Sequence, residues 1–426
     1  MKYRLLLLLL LLLLLLLLLL LLLSFVCYSF GQKPSASSTP SPSPSSEKTK
    51  SFGSSLKRYE RKQQRDSQDK QKSTDPNDED IIRVKTDLVV NDVLVTNQKG
   101  NLIIGLQKDD FIVTEDGVSQ TIEIFSFGEN VTLPRSVVLI VDCLAPQGPY
   151  LRNSIEAAKI LVDKLAPKDK MAIATVDLKL QSNFTQDKTL LKKTLDSVEK
   201  KDVEIWGGWE FSTLLAVLNE MFDEENRQRI VIFQGDGSQI IWLKPDKDAP
   251  YPVSYSTLER SGLRYTREKD LPKFGFSEVK EAIEGSRVTI YSVITGIRFL
   301  GLPTQEQLAR AKITLGESNR FFGGKDKNLP AIIREYQYAE ADRKTAGQTA
   351  MFKVAELSGG FADFIEKPED AENVYSNIFT VIKSRYVIGY YPTNRNRDGK
   401  LREVKIEVRN HPEYTVTYRK GYSLSN

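Results

Sequence analysis

Ser136-Val137-Val138-Leu139-Ile140-Val141 is an apolar, β-branched run that ends abruptly on Asp142. A second run, Arg229-Ile230-Val231-Ile232-Phe233-Gln234, ends on Gly235-Asp236-Gly237-Ser238. Strands without an alternating polar face must be covered on both sides, which calls for a parallel sheet between two layers of helices. Carboxylates at the C-terminal ends of such strands lie in the crevice where open α/β sheets bind ligands. Asp142 and Asp236 therefore mark the expected site of action.

The surrounding pattern, over about 134–384, alternates strand and helix. Tyr150 to Leu165 carries apolar residues at helical spacing before Pro167, and Met171 to Val176 reads as a strand with Leu180 to Phe184 as its hairpin partner. Lys188 to Val198, Thr213 to Phe222 and Ser277 to Ile283 read as amphipathic helices, and Arg287 to Ile294 as another apolar strand. This βαβ order predicts a doubly wound, Rossmann-like α/β domain. Two connections, 239–274 and 301–348, exceed what such a domain needs; loops of that length are functional or disordered. A helix over Thr349 to Leu357, a strand at Phe361 to Ile365 and a helix over Glu372 to Lys383 close it.

On either side the pattern is β. Residues 81–130 contain short alternating strands, with Asp116-Gly117 as a hairpin signal. Residues 385–422 contain three more, Arg385 to Tyr391, Leu401 to Arg409 and Glu413 to Arg419. Neither group has enough strands to bury its own apolar face. The expectation is one β-sandwich built from N- and C-terminal halves, with the α/β domain inserted between them.

The N-terminus constrains location. Lys2 and Arg4 precede nineteen leucines, Leu5 to Leu23, and the small residues Ser29 and Gly31 follow. Residues 1–31 read as a secretory signal cleaved after Gly31, or as a retained membrane anchor, since about 20 apolar residues can span a bilayer. Residues 32–80, rich in Ser, Pro, Lys and Gln, read as a disordered linker. The protein is thus expected to be secreted, periplasmic or anchored in the cell envelope, touching membrane only through this first segment. Much of the net charge of +4 comes from the basic stretch Lys48 to Lys72, and no nucleic-acid partner is expected. Cys27 and Cys143 are the two cysteines, so cleavage leaves one thiol and no internal disulfide; Cys143 reads as a small buried residue. The single histidine, His411, is remote in sequence from the acidic strand ends, which argues against histidine-based catalysis.

Strand-Asp142, Thr213 and strand-Gly235-Asp236-Gly237, in this order, resemble a von Willebrand factor type A domain. The layout from about residue 81 to 422 is similar to the von Willebrand A-related secreted proteins found especially in Acidobacteria. The matching segments are Leu88 to Thr96, Gly105 to Gly117, Pro134 to Asp142, Leu357-Ser358-Gly359-Gly360 and Tyr386 to Pro392, followed by Asp398 to Arg402 and Arg419 to Tyr422. The resemblance implies a metal-ion-dependent adhesion site on top of the sheet. In the family pattern, Asp-x-Ser-x-Ser, a Thr from a later loop and a second Asp supply hard oxygen donors suited to magnesium. Here Asp142, Thr213 (with neighbouring Ser212 as an alternative) and Asp236 match. Leu144 and Pro146 replace the two hydroxyl residues. Any magnesium held by this set is expected to be weak or absent. Alternatively the two acids serve the local backbone, Asp142 by accepting from its loop and Asp236 by capping the turn after Gly235.

The favoured functional expectation is a bacterial binding module that contacts a protein partner of unknown identity, or mediates adhesion, through the C-terminal edge of the sheet. Trp242, Tyr251, Tyr255 and Tyr265 in the 239–274 insertion suit an interface, or else pack the insertion onto its domain. The alternative is a structural envelope scaffold with an inert A-domain face. An enzyme is not expected: there is no Cys motif, phosphate-cradling loop or nucleophile elbow, and a carboxylate-based hydrolase stands last.

Overall fold

The computed structural model describes residues 51–59, 88–128, 133–144, 147–199, 209–222, 227–244, 246–250, 273–321 and 333–424. The leucine segment and its cleavage position lie outside the described residues. Among these residues no helix is long and apolar enough to cross a membrane.

Four strands precede the central domain: β1 (Val89–Thr96), β2 (Phe111–Glu115), β3 (Val118–Ser119) and β4 (Ile122–Phe127). β1 and β2 alternate between buried and half-buried residues, as strands with one face on a core do. Asp116 and Gly117 both have positive φ and make the tight turn from β2 to β3.

The central sheet contains β5 (Arg135–Val141), β6 (Lys170–Thr175), β7 (Lys179–Thr185), β8 (Gln228–Gly235), β9 (Thr289–Thr295) and β10 (Ala362–Ile365). Its order is β10-β9-β8-β5-β6-β7, parallel throughout except for antiparallel β7 at one edge. The helices are α1 (Gly148–Asp163), α2 (Lys188–Glu199), α3 (Glu210–Glu220), α4 (Phe276–Ser286), α5 (Thr304–Phe321), α6 (Ile333–Leu357) and α7 (Ala371–Lys383). Alternate residues of β5 and β8 feed two cores. Val138, Ile140, Val231 and Phe233 pack with residues of α3, α4 and α6, while Val137, Leu139, Ile230 and Ile232 pack with residues of α1, α2 and α7. From β5 the chain moves first to β6 on one side and later to β8 on the other. The reversal of strand order falls between β5 and β8, where Asp142 and Asp236 follow the strand ends.

After α7 come β11 (Tyr386–Tyr390), β12 (Leu401–Val408), β13 (Thr415–Thr417) and β14 (Gly421–Ser423). They interleave with the first four strands in two antiparallel sheets, ordered β13-β1-β11-β4 and β14-β12-β2-β3. Both sheets contribute to one hydrophobic cluster that includes Val89, Phe111, Tyr386, Ile406 and Tyr422. Asp92 of β1 joins this part to the central domain. Its two carboxylate oxygens accept from Gln228 Nε2 (2.7 Å) and Thr289 Oγ1 (2.9 Å), at the beginnings of β8 and β9. The junction is thus at the N-terminal edge of the central sheet, opposite the acidic strand ends.

Three expectations change. The 301–348 connection contains two packed helices, α5 and most of α6, and the helix expected from Thr349 is the last part of α6. Before Thr349, α6 buries small residues such as Ala339, Ala341 and Ala346, which leave no stripe of large apolar side chains to mark a helix. Helix α3 begins at Glu210, three residues before Thr213. Residues 51–59 are not free linker: they carry a 3-10 turn at Ser54–Leu56, and Tyr59 is buried in the central core.

A buried charge pair specifies the flanking sheets. Glu115 Oε2 accepts from the hydroxyls of Tyr390 (2.9 Å) and Tyr422 (2.7 Å), and Glu115 Oε1 lies 3.3 Å from Arg402 Nη1. These groups come from β2, β11, β12 and β14, so the pair holds both sheets. Removing one partner strands the other charge in the core. Glu115→Ala should therefore cost about 3 kcal/mol of stability, read as a lower urea midpoint; an unchanged midpoint would mean that the pair is not structural.

Candidate functional site

The end of β5 and the end of β8 place Asp142 and Asp236 side by side, and the first residue of α3 adds Glu210. One carboxylate oxygen from each of the three lies within 4.8 Å of the other two, and all three residues are buried. The packing around Gly235 is close: a Cβ there would sit 3.3 Å from Glu210 Oε1 and 3.6 Å from Asp142 Oδ2.

Each acid is held by backbone donors. Asp142 Oδ1 accepts from Leu144 N (3.1 Å) and Asp236 Oδ1 from Ser238 N (2.9 Å). Glu210 Oε2 accepts from Gln239 N (2.8 Å), so it caps the 3-10 turn Ser238–Trp242. Gln239 answers in kind: its Oε1 accepts from Phe211 N (2.6 Å) and Ser212 N (3.0 Å), donors that open α3. The turn and the helix thus satisfy each other's unpaired N–H groups.

A cation completes the group. Lys344 Nζ, from α6, lies 2.8 Å from Asp236 Oδ2, with the two side chains 19% and 8% exposed. Two glycines allow α6 to come this near. Gly237 has φ of 71°, and a Cβ on it would meet the Gly347 carbonyl oxygen at 2.3 Å. Neighbouring Arg343 is paired with Glu340, its Nε and Nη2 donating at 2.9 and 2.8 Å.

The protonation states diverge. Burial and then the nearby Asp236 charge push Asp142 up to about 8. Burial, Asp236 and Asp142 raise Glu210 well above the usual carboxylate range. Burial acts on Asp236 in the same direction, but Lys344 and then Arg343 outweigh it and hold Asp236 below that range. The cluster thus sets Asp236, paired with the Lys344 cation, beside two acids whose hold on a proton is strengthened.

The remaining candidates are engaged elsewhere. Thr213 Oγ1 donates to Thr175 O at 3.4 Å, and Ser212 Oγ accepts from Gln239 Nε2 at 2.8 Å. Leu144 packs on the central core, and Pro146 lies outside the described residues. Trp242 is half-buried against the same core; Tyr251, Tyr255 and Tyr265 lie outside the described residues. Cys143 is buried. His411 is exposed, with Nδ1 2.9 Å from Glu413 Oε1, and takes no part in the acid cluster. Glu210 and Lys344 were absent from the sequence reading. Glu210 carried the signal of an acid opening a helical pattern three residues before Thr213; Lys344 carried none.

Fold and cluster together define a doubly wound α/β domain with a buried acidic centre at its topological switch point, neutralised in part by a lysine of its own chain. No protein family and no curated relative matches the sequence. Solved structures with similar folds include the conserved hypothetical protein BatB from Bacteroides thetaiotaomicron, at 14% identity and TM-score 0.33, covering 59% of this chain and 100% of that one. The vWF domain of the type V pili tip protein Mfa5 from Porphyromonas gingivalis has 13% identity and TM-score 0.36, covering 59% and 96%. The pilus adhesin SpaC from Lactobacillus rhamnosus GG has 9% identity and TM-score 0.36, covering 68% of this chain and 36% of that one. At these scores the fold rests on the strand order and connections described above.

The raised acid gives a pH signature. Native Asp142 keeps its proton up to about pH 8, whereas an unfolded aspartate releases it near its ordinary value of 3.8. Between these values the unfolded chain binds fewer protons, so stability falls as pH rises; Glu210 acts in the same direction. The melting temperature should therefore drop between pH 6 and pH 8, and Asp142→Asn should flatten the slope over that range. An identical slope in the variant would place the proton elsewhere.

Proposed function

We propose that this chain is a von Willebrand A-type binding module of a secreted or envelope-anchored bacterial protein, with its α/β domain inserted in a β-sandwich. It recognises a protein partner through the C-terminal edge of the central sheet, and its adhesion site is degenerate: it works without a bound magnesium ion. The observation that carries this reading is the ammonium of Lys344 on Asp236. It supplies one positive charge where the family pattern would put a divalent cation.

The donor set supports the same conclusion. A magnesium ion prefers six oxygens at near-octahedral positions. Of the family's five protein donors, two are replaced by Leu144 and Pro146, whose side chains carry no oxygen, while the Thr213 hydroxyl donates to Thr175 O and the Ser212 hydroxyl accepts from Gln239 Nε2. The acid that does face the cluster, Glu210, is committed to capping the turn at Gln239. A metal would have to displace Lys344 from Asp236 and work against the raised proton affinity of Asp142 and Glu210. These residues do not fit a resident magnesium ion, and partner contacts fall instead to the surrounding loops, including the 239–274 insertion.

The remote, exposed position of His411 and the burial of all three acids favour binding over hydrolysis. In calorimetric titration the wild-type chain should show no magnesium, manganese or calcium binding up to about 1 mM, the weak end for extracellular modules. Lys344→Ala should be less stable by about 3 kcal/mol, because the buried Asp236 charge loses its partner. That variant should gain divalent-cation affinity, and adding Asp236→Ala should abolish the gain. Tight magnesium binding by the wild type, insensitive to Lys344→Ala, would sink the degenerate-site reading.

A further inference from the structure

Residues 51–59, within a region of linker-like composition, are seated on the far end of α3 from Glu210. Glu220, the last residue of α3, accepts Gly53 N at 2.9 Å through Oε2 and Ser55 N at 2.7 Å through Oε1. Its carboxylate thus caps the 3-10 turn Ser54–Leu56, where unpaired N–H donors favour a negative charge. Arg58 Nη2 donates to Asn219 Oδ1 at 2.7 Å. Tyr59 enters the core shared by the sheet, α3 and α4, with its ring 5.7 Å from that of Phe274, and Phe52 and Leu56 pack beside it. Gly53 has φ of 84°, and a Cβ there would press on Leu178 Cδ2 at 2.9 Å. The fit therefore depends on shape at Gly53, on an anion at Glu220 and on an aromatic ring at Tyr59.

We propose that the end of α3, Leu178 and Phe274 form a peptide-docking groove whose dedicated occupant is the chain's own segment 51–59. Seated there, the segment is a strap that ties the N-terminal low-complexity region to the base of the 239–274 insertion. The tie runs through Phe274. Its carbonyl accepts Lys244 N at 2.9 Å, and Lys244 bridges Gly275, where the insertion leaves the domain and returns. The recognition chemistry is a glycine-led turn whose N–H groups meet an anion, followed by a leucine three residues and a tyrosine six residues after the glycine. A second copy of this chain could offer the same motif only by vacating its own groove, so occupancy within one chain is the committed reading.

Hydrogen exchange on the full chain tests it. In the wild type the amides of Gly53 and Ser55 should exchange about tenfold or more slowly than in an unfolded chain. Glu220→Ala should remove that protection. Tyr59→Ala should also release the segment and speed exchange at Lys244, leaving β5 and β8 protected. A synthetic peptide of residues 48–62 should then restore Lys244 protection saturably in that variant and have no effect on the wild type. Should Tyr59→Ala unfold, Gly53→Val unseats the segment through Leu178 without touching the core and should give the same pattern. Unprotected Gly53 and Ser55 in the wild type, or Lys244 exchange unchanged on release, would overturn the proposal. Protection that appears only as chain concentration rises would overturn it as well, in favour of exchange between copies.

Discussion

A parallel sheet buried on both faces has only its edges left for function, and that constraint organises this molecule. Each residue of β5 is buried, so successive side chains feed opposite cores. Helices must cover both sides, and the crossovers they require put the reversal of strand order between β5 and β8. The N-terminal edge at this point is occupied by Asp92 and its partners Gln228 and Thr289. What remains open to specialisation is the opposite edge, and there the chain has placed its acids.

Burying three carboxylates together is costly unless their charge is reduced or paired. Both devices are used. Burial raises the proton affinity of Asp142 and Glu210, while Lys344 favours the ionised form of Asp236. The arrangement depends on α6 reaching the strand ends, which the back-to-back glycines Gly237 and Gly347 permit. The same acids organise backbone: Glu210 and Gln239 exchange caps between α3 and the turn after β8. The acidic cluster is thereby stabilised from within the chain.

The flanking strands follow a related logic. Neither β1–β4 nor β11–β14 could bury its apolar residues alone, and interleaving them produces one shared core. Glu115 and Arg402 sit inside that core with the hydroxyls of Tyr390 and Tyr422. Such a network penalises any register that leaves one member unpaired, so it selects the pairing rather than merely adding to it.

Local patterns made part of this legible. The two apolar runs required a parallel sheet whatever the rest of the chain did, and their terminal Asp142 and Asp236 meet at its C-terminal edge. The Asp116-Gly117 turn was equally explicit, because few other dipeptides accept positive φ twice. Other features were decided only by tertiary structure. Lys344 meets Asp236 across 108 positions, on a helix whose first half buries mainly alanines. Glu210 acquires its role from the direction in which α3 points, not from its neighbours in sequence. Tyr59 is one aromatic in a polar stretch, and only the cleft beside Phe274 makes it core. Sequence determines which residues must be hidden and where a strand must stop; which charges then face one another depends on packing between segments far apart in the chain, and no local pattern encodes that.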